Sequence, residues 1–125
     1  PGDVDAFSAA MAPIFSTVEA LGERGARIIA GTDSPIIPYG FSLLLEIEQL
    51  SDAGLGPIEA IRSATGRAAE ALGADDEIGT VEEGKIADLV LLAADPSEDI
   101  KNLRTTEIVI VNGRLLTVEQ LLGRR

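Results

Sequence analysis

Three consecutive polar residues follow a short apolar run and a glycine, and they are the residues best placed to do chemistry. The run Ile28–Ala30 has the length and β-branched content of a buried strand. Thr32, Asp33 and Ser34 follow it after a single glycine. Because α/β folds place catalytic groups where a buried strand gives way to a loop, Asp33 is the candidate catalytic carboxylate. A strand-end aspartate that caps a turn or a helix is the alternative, and the spacing leaves both interpretations open.

The segments around this carboxylate predict the order helix, strand, loop, helix, which is the repeat of a parallel α/β sheet. Apolar residues at spacings of three and four predict a first helix that ends by Gly25. Pro13 is expected to kink this helix or to separate it from a second one. Ser42 is expected to cap a helix running to about Ala53, and a further helical region is expected from Pro57 to Gly73.

The last third of the chain predicts strands instead of helices. The runs Asp88–Leu92 and Ile108–Val111 are short and continuously apolar after their first residues, as in buried strands. Asn112-Gly113 predicts a tight turn, because both residues tolerate a positive φ. This turn is expected to pair the second run with Arg114–Thr117 as a hairpin.

Two charged residues near these strands have structural interpretations. Asp88 is expected to pin the turn near Lys85, and Lys85 to be a turn residue or a member of a surface ion pair. The acidic run Asp75–Glu77 is expected to be a solvated connection. The alternatives are contact with substrate for Asp88 and a catalytic amine for Lys85, and the structural interpretation is favoured for both.

Composition excludes several classes of function. The chain has 21 acidic and 10 basic residues and a net charge of −11, which argues against nucleic-acid and anionic-membrane partners. It has no apolar run of bilayer length and no signal pattern, so a cytoplasmic protein is expected. Cys and His are both absent, which removes thiol chemistry, the usual zinc ligands and the usual general base. A chain that opens at Pro1 is expected to be processed, trimmed or truncated.

Several sequence blocks together resemble the C-terminal end of the amidohydrolase superfamily, closest to its imidazolonepropionase and Xaa-Pro dipeptidase-like branch. Gly25–Ser34 resembles the last barrel strand with its metal-site aspartate. Leu43–Leu72 resembles the helices that follow that strand. Ile78–Val90, with Asp95-Pro96, resembles the return into the small β-sandwich beside the barrel, and Val111–Arg114 resembles its closing hairpin.

The resemblance implies an α/β fold in two parts. Residues 1–73 would be the last βα unit of a (β/α)8 metal-dependent hydrolase barrel. Residues 74–125 would supply strands of the adjoining small β-sandwich and a C-terminal tail. In that family one or two divalent metals, commonly zinc, activate the water that hydrolyses a C–N bond of a small amide or peptide.

The resemblance also implies roles for individual residues. By motif position Asp33 would bind the metal, take a proton from the metal-bound water and pass it to the leaving nitrogen. Thr32 and Ser34 flank Asp33 and would orient it or contact the substrate. Tyr39 lies in the loop that would form part of the substrate pocket wall.

The chain departs from the family pattern in ways that matter. It carries only the last βα unit and none of the His ligands, and Leu44 lies in a segment where many relatives have a His. A catalytic zinc normally uses three protein ligands, so the chain alone is expected to bind no metal and to be inactive. Activity would need the rest of the barrel. The alternative is a non-catalytic assembly or binding domain derived from that fold.

The open edges of the predicted strand Ile28–Ala30 imply an interaction partner. A last barrel strand needs neighbours on both sides, and an uncovered edge invites pairing with another chain. The sequence therefore predicts a homo-oligomer or strand-exchanged dimer, unless the chain's own helices and hairpin cover the edge.

Overall fold

The computed structural model describes residues 4–32, 40–121 and 123. The described elements before residue 73 are all helical, and those after residue 88 are three strands, a 3-10 helix and one short α-helix. The α-helices are α1 (Val4–Glu23), α2 (Ser42–Leu50), α3 (Gly56–Ala64), α4 (Gly66–Leu72) and α5 (Val118–Leu121). The strands are β1 (Leu89–Leu92), β2 (Thr106–Val111) and β3 (Arg114–Thr117). A π-helical turn, Ser51–Leu55, joins α2 to α3, and a 3-10 helix, Ile100–Arg104, precedes β2. Within these ranges, no helix has the length and apolar character needed to cross a bilayer.

Helix α1 ends where the glycines predict. Gly25 has a φ of +73°, and its N–H donates to the Gly22 carbonyl while the Ala26 N–H donates to the Leu21 carbonyl. These two bonds form a Schellman cap, which needs a residue in the left-handed region. The helix continues through Pro13, so the separate second helix considered there does not form.

The strand predicted over Ile28–Ala30 is not formed. Residues 26–32 have no regular secondary structure. A strand is held by hydrogen bonds to a neighbouring strand, but the Ala30 N–H donates to the carbonyl of Ser63 on α3, 3.1 Å away. The described strands, β1 to β3, pair only with one another, in a different part of the chain.

The predicted cap and extent of α2 also need correction. Ser42 is the first residue of the helix, and Phe41 occupies the capping position without a side-chain hydrogen bond. The α-helix ends at Leu50 and continues as the π-helical turn through Ala53 to Leu55. Gly54 adopts a φ of +99° inside this turn, which redirects the chain into α3.

The three strands form an antiparallel sheet in the order β1-β2-β3. Val109 of β2 lies between Val90 of β1 and Leu116 of β3. Asn112 and Gly113 have φ values of +50° and +76°, as a two-residue hairpin turn with positive φ at both positions requires. The predicted strands and hairpin are confirmed.

Asp88 and Lys85 have structural roles, as expected, but Asp88 holds a different turn. The Asp88 carboxylate accepts the N–H of Asn112 at 2.6 Å, which ties β1 to the hairpin turn. Lys85 is a turn residue whose N–H donates to the Glu82 carbonyl. Its ammonium group donates to the Thr80 hydroxyl at 2.5 Å.

The core cluster joins the helices to the sheet-bearing half. Ile47 of α2, Ala60 of α3 and Ile100 of the 3-10 helix are all buried. Ala60 is fully buried, and its small side chain lets the two helices approach closely. Four partly buried residues pack around the cluster: Leu50, Ile61, Ala64 and Leu103.

Candidate functional site

The predicted site residues lie on one segment, of which the structure describes the two ends. Asp33, Ser34 and Tyr39 fall outside the described residues. Thr32 is half-buried and is the last described residue before the segment, and Gly40 is the first described residue after it. The structure therefore shows which contacts hold the chain just before residue 33 and just after residue 39.

Helices α2 and α3 hold the backbone that leads into the segment. The Gly31 N–H donates to Oε1 of Glu46 on α2 at 2.7 Å. The preceding N–H, of Ala30, donates to the carbonyl of Ser63, which is fully buried on α3. Two successive amides before Thr32 are thus bound by two different helices.

An arginine from the sheet-bearing half contacts the other end of the segment. The Arg104 guanidinium lies 5.1 Å from the centroid of the Phe41 ring, within the range of a cation–π contact. Its Nε and Nη2 donate to the two carboxylate oxygens of Glu48, both at 2.6 Å. The hydrogen bond to Glu48 raises the pKa of Arg104 above its ordinary value. Glu48 is buried, so Arg104 supplies the countercharge that a buried carboxylate needs.

An open groove of about 360 Å³ lies between α1 and α2, beside the Gly31 end of the segment. Thr32 and Glu46 lie along it. The rest of its lining is mostly apolar and includes Phe15 and Val18 of α1 and Leu45 of α2. Such a lining suits packing against apolar groups and does not provide metal ligands.

The part of the chain that the structure describes does not contain a cluster of metal-binding side chains. Among the described residues, no three His, Cys, Asp or Glu side chains come together as a metal site would require. The chain also contains neither His nor Cys. A catalytic zinc needs about three protein ligands, and Asp33 alone is one.

The sequence reasoning missed Glu46, Glu48 and Arg104. The sequence did contain a signal for the two glutamates, because they flank Ile47 in a mostly apolar helix. The buried carboxylate of Glu48 needs a partner, which is Arg104. Glu46 is half-buried and accepts the Gly31 N–H. The identity of Arg104 had no local signal, since it lies 56 residues from Glu48.

Comparison with known proteins agrees with the resemblance seen in the sequence. Residues 13–116 match the amidohydrolase family. The imidazolonepropionase of Sphingopyxis alaskensis is 43% identical over 65% of this chain and 21% of its own length. A 5-methylthioadenosine/S-adenosylhomocysteine deaminase of Thermoanaerobacter pseudethanolicus is 28% identical over 87% of this chain and 30% of its own length.

A solved structure points to the same relatives. A Xaa-Pro dipeptidase crystallised with methionine in its active site aligns with a TM-score of 0.76 and 34% identity. The alignment covers 83% of this chain and 25% of that one. The chain therefore spans about a quarter of the length of the relatives it matches. Since the family match covers most of its residues, this chain belongs to the amidohydrolase family.

Proposed function

We propose that this chain is the C-terminal part of a metal-dependent amidohydrolase that hydrolyses C–N bonds, and that it is inactive alone. The family match over residues 13–116, in a chain about a quarter as long as its relatives, carries the proposal. The chain's lack of His and Cys is consistent with it, because a catalytic zinc normally uses three protein ligands and often draws them from these residue types. The remaining ligands, for zinc or another divalent metal, would come from the rest of the barrel.

In this proposal Asp33 is the carboxylate that the chain supplies to the reaction centre. Thr32, Ser34 and Tyr39 contact the substrate. The relatives named above are an imidazolonepropionase, a deaminase and a Xaa-Pro dipeptidase, whose names imply the breaking of a C–N bond in a small molecule. A small amide, cyclic amide or dipeptide is therefore the proposed substrate class, and the proposed location is the cytoplasm.

The proposed division of the chain follows the change from helices to strands. Residues 1–73 complete the barrel, and residues 74–125 belong to the adjoining β-sandwich. Ile29, Phe41 and Leu43 are each between 42% and 50% exposed, which leaves apolar surface beside the candidate segment. The isolated chain is proposed to cover this surface by forming a homo-oligomer or strand-exchanged dimer. Analytical ultracentrifugation that finds only monomer across a wide concentration range would contradict the proposed oligomer.

A hybrid enzyme tests the proposed activity. This chain replaces the matching region of the Sphingopyxis alaskensis imidazolonepropionase, and hydrolysis of imidazolonepropionate is measured after loading with zinc. The hybrid is expected to be active, whereas the isolated chain and the relative without its matching region are expected to be inactive. A zinc titration of the isolated chain is expected to give no tight binding.

Two results would overturn the proposal. Hydrolysis by the isolated chain would contradict the claim that it is inactive alone. A folded, zinc-loaded hybrid without activity would favour the alternative, a non-catalytic assembly or binding domain. The apolar groove between α1 and α2 supports that alternative, because its lining suits packing against a partner.

A further inference from the structure

We propose that Asn112 is a site of spontaneous deamidation, and that contacts of the Asn112-Gly113 turn with Ala87 and Asp88 hold the reaction back in the folded chain. All four residues lie in the small sheet or directly beside it. The assignment therefore holds whether or not the proposed function does.

The chemistry comes from the residue pair that forms the hairpin turn. The backbone nitrogen after an asparagine can attack the side-chain carbon Cγ, and glycine hinders this attack least because it has no side chain. The Gly113 nitrogen gives up its proton and bonds to Cγ of Asn112, and the side-chain nitrogen leaves as ammonia. The product is a cyclic imide, a succinimide, between the two residues.

One water molecule then opens the succinimide in either of two ways. Cleavage between the nitrogen and the side-chain carbonyl gives aspartate and restores the backbone. Cleavage between the nitrogen and the main-chain carbonyl gives isoaspartate, in which the backbone runs through the side chain and gains a CH₂ group. Overall the chain takes up water and releases ammonia, so no oxidant and no further reactant is needed.

The turn is open to water, but its backbone is held. Asn112 and Gly113 are both exposed. The Gly113 N–H donates to the Ala87 carbonyl at 2.9 Å, and the Asn112 N–H donates to Oδ1 of Asp88 at 2.6 Å. The attacking nitrogen is thus a hydrogen-bond donor, and it has to leave Ala87 before it can lose its proton.

Strand pairing restrains the turn further. Val111 and Arg114 are partners in the register of β2 and β3, so only Asn112 and Gly113 connect the two strands. Both have a positive φ, as a tight hairpin turn requires. Closing the imide ring needs rotations in Asn112 that this turn does not allow. The reaction therefore starts from the locally opened turn, and its rate follows the population of that state.

Asp88 supplies the restraint that a substitution can remove. Its carboxylate accepts a charge-assisted hydrogen bond, which is stronger than one between neutral groups. The Ala87 carbonyl belongs to the backbone and stays in every variant. Loss of a hydrogen bond to a charged group is expected to raise the population of the opened turn about tenfold or more.

The chain's other asparagine, Asn102, provides an internal control. It precedes Leu103, whose side chain hinders the attack on the asparagine. Its side-chain amide also donates to the Asp95 carbonyl at 2.8 Å, which holds Cγ in place. Asn102 is therefore expected to react more slowly than Asn112 in every sample.

The two products differ in their effect on the hairpin. Aspartate followed by glycine suits a turn with positive φ at both positions, so this product is expected to keep the hairpin. Isoaspartate lengthens the connection between Val111 and Arg114. Its formation is therefore expected to loosen the pairing of β3 with β2, measured as faster hydrogen exchange in β3.

The test is to incubate the 125-residue chain at mildly alkaline pH, both folded and unfolded in guanidinium chloride. Mass spectrometry of the peptides that contain Asn112 and Asn102 follows the conversion of amide to acid, and chromatography separates isoaspartate from aspartate. The variants are Asp88→Ala and Asp76→Ala. Asp76 makes the matched control, because it is an exposed carboxylate in the connection before the sheet.

In guanidinium chloride, Asn112 is expected to react at the same rate in all three proteins. In the folded wild type it is expected to react about tenfold more slowly or less, because the turn has to open first. Folded Asp88→Ala is expected to react about tenfold faster than folded wild type. Asp76→Ala is expected to match the wild type.

Three results would overturn the proposal. An unfolded chain that keeps Asn112 intact would remove the modification site. A folded wild type that reacts as fast as the unfolded chain would remove the protection. A folded Asp88→Ala variant that reacts at the wild-type rate would remove the role of Asp88. Circular dichroism checks folding, and Asp88→Asn, whose neutral oxygen is a weaker acceptor, replaces an unfolded Asp88→Ala with a smaller expected rise.

Discussion

The carboxylate of Glu48 and the guanidinium of Arg104 are joined by two parallel hydrogen bonds of 2.6 Å, across 56 residues of sequence. Glu48 lies on α2, and Arg104 ends the 3-10 helix that leads into β2. The pair therefore connects the helical part to the sheet-bearing part beside the core cluster. The same guanidinium also contacts Phe41, next to the candidate segment.

Replacing Arg104 tests this connection. Arg104→Ala leaves the buried Glu48 carboxylate without its partner, and an unpaired buried charge costs more than the pair itself gains. The midpoint of urea unfolding is expected to fall, and Arg104→Lys is expected to recover only part of it because lysine cannot form the two parallel bonds. Arg114→Ala on β3 removes an exposed arginine and serves as control. Equal midpoints for the Arg104 and Arg114 variants would contradict the role of the pair.

Two glycines with the same φ provide a test of packing between α4 and the connection that follows it. Gly79 and Gly84 both have a φ of +95°, but a Cβ on Gly79 would lie 2.5 Å from Cβ of Ala69. A Cβ on Gly84 would meet nothing within 4 Å. Both alanine variants are expected to lose about 1–2 kcal/mol for the left-handed backbone. Gly79→Ala is expected to lose about 1–3 kcal/mol more from overpacking. Chemical unfolding measures both, and equal losses would exclude the close approach.

The core cluster predicts a large difference between two isoleucines. Ile47→Ala removes a side chain that is 6% exposed and is expected to lower the free energy of unfolding by about 2–4 kcal/mol. Ile58→Ala makes the same chemical change on α3 at a side chain that is 47% exposed. Its loss is expected to be about 1 kcal/mol or less. Urea titrations measure both losses. A larger loss in the free energy of unfolding for Ile58→Ala than for Ile47→Ala would contradict the assignment of Ile47 to the core.

Acid should weaken the turn around Glu82. The hydrogen bond from the Thr80 hydroxyl and the charge of Lys85 lower the pKa of Glu82 below its ordinary value of 4.5. Because the folded-state pKa is the lower one, this stabilisation is fully present above pH 4.5 and is lost as pH falls through the folded-state pKa. The stability difference between wild type and Glu82→Gln is therefore expected to shrink on acidification.

The matched control for this pH dependence is Glu83→Gln, which removes the same charge one residue away and leaves the Thr80 hydrogen bond in place. Thermal unfolding from pH 7 to pH 3 measures both variants. A gap between wild type and Glu82→Gln that widened as the pH fell would contradict the assigned cause.

Local signals in the sequence were sufficient for the elements that local chemistry determines. Asn112-Gly113 predicted the hairpin because few other pairs adopt two positive φ values in succession. Gly25 predicted the end of α1, because a Schellman cap needs a residue in the left-handed region. These features depend on a few neighbouring residues, and the printed sequence contains all of them.

Features that depend on distant partners were not predictable in the same way. The composition of Ile28–Ala30 predicts a strand, but a strand forms only when it pairs with a neighbour. No described strand lies beside this run. Ser42 reads as a helix cap, yet Phe41 takes that position. The binding of Gly31 by Glu46 spans 15 residues and needed the packing of α2 to become visible.

Steady-state kinetics of Asp33→Asn in the zinc-loaded hybrid measure whether Asp33 is the catalytic carboxylate. Asparagine keeps the size of the side chain but cannot accept a proton, and such a loss costs about 10²- to 10⁴-fold in rate. The value of kcat/KM is expected to fall by that factor. In the control Asp88→Asn, which loosens only the hairpin turn, it is expected to stay within a few-fold of wild type. A folded Asp33→Asn hybrid with wild-type kcat/KM would show that Asp33 takes no part in catalysis.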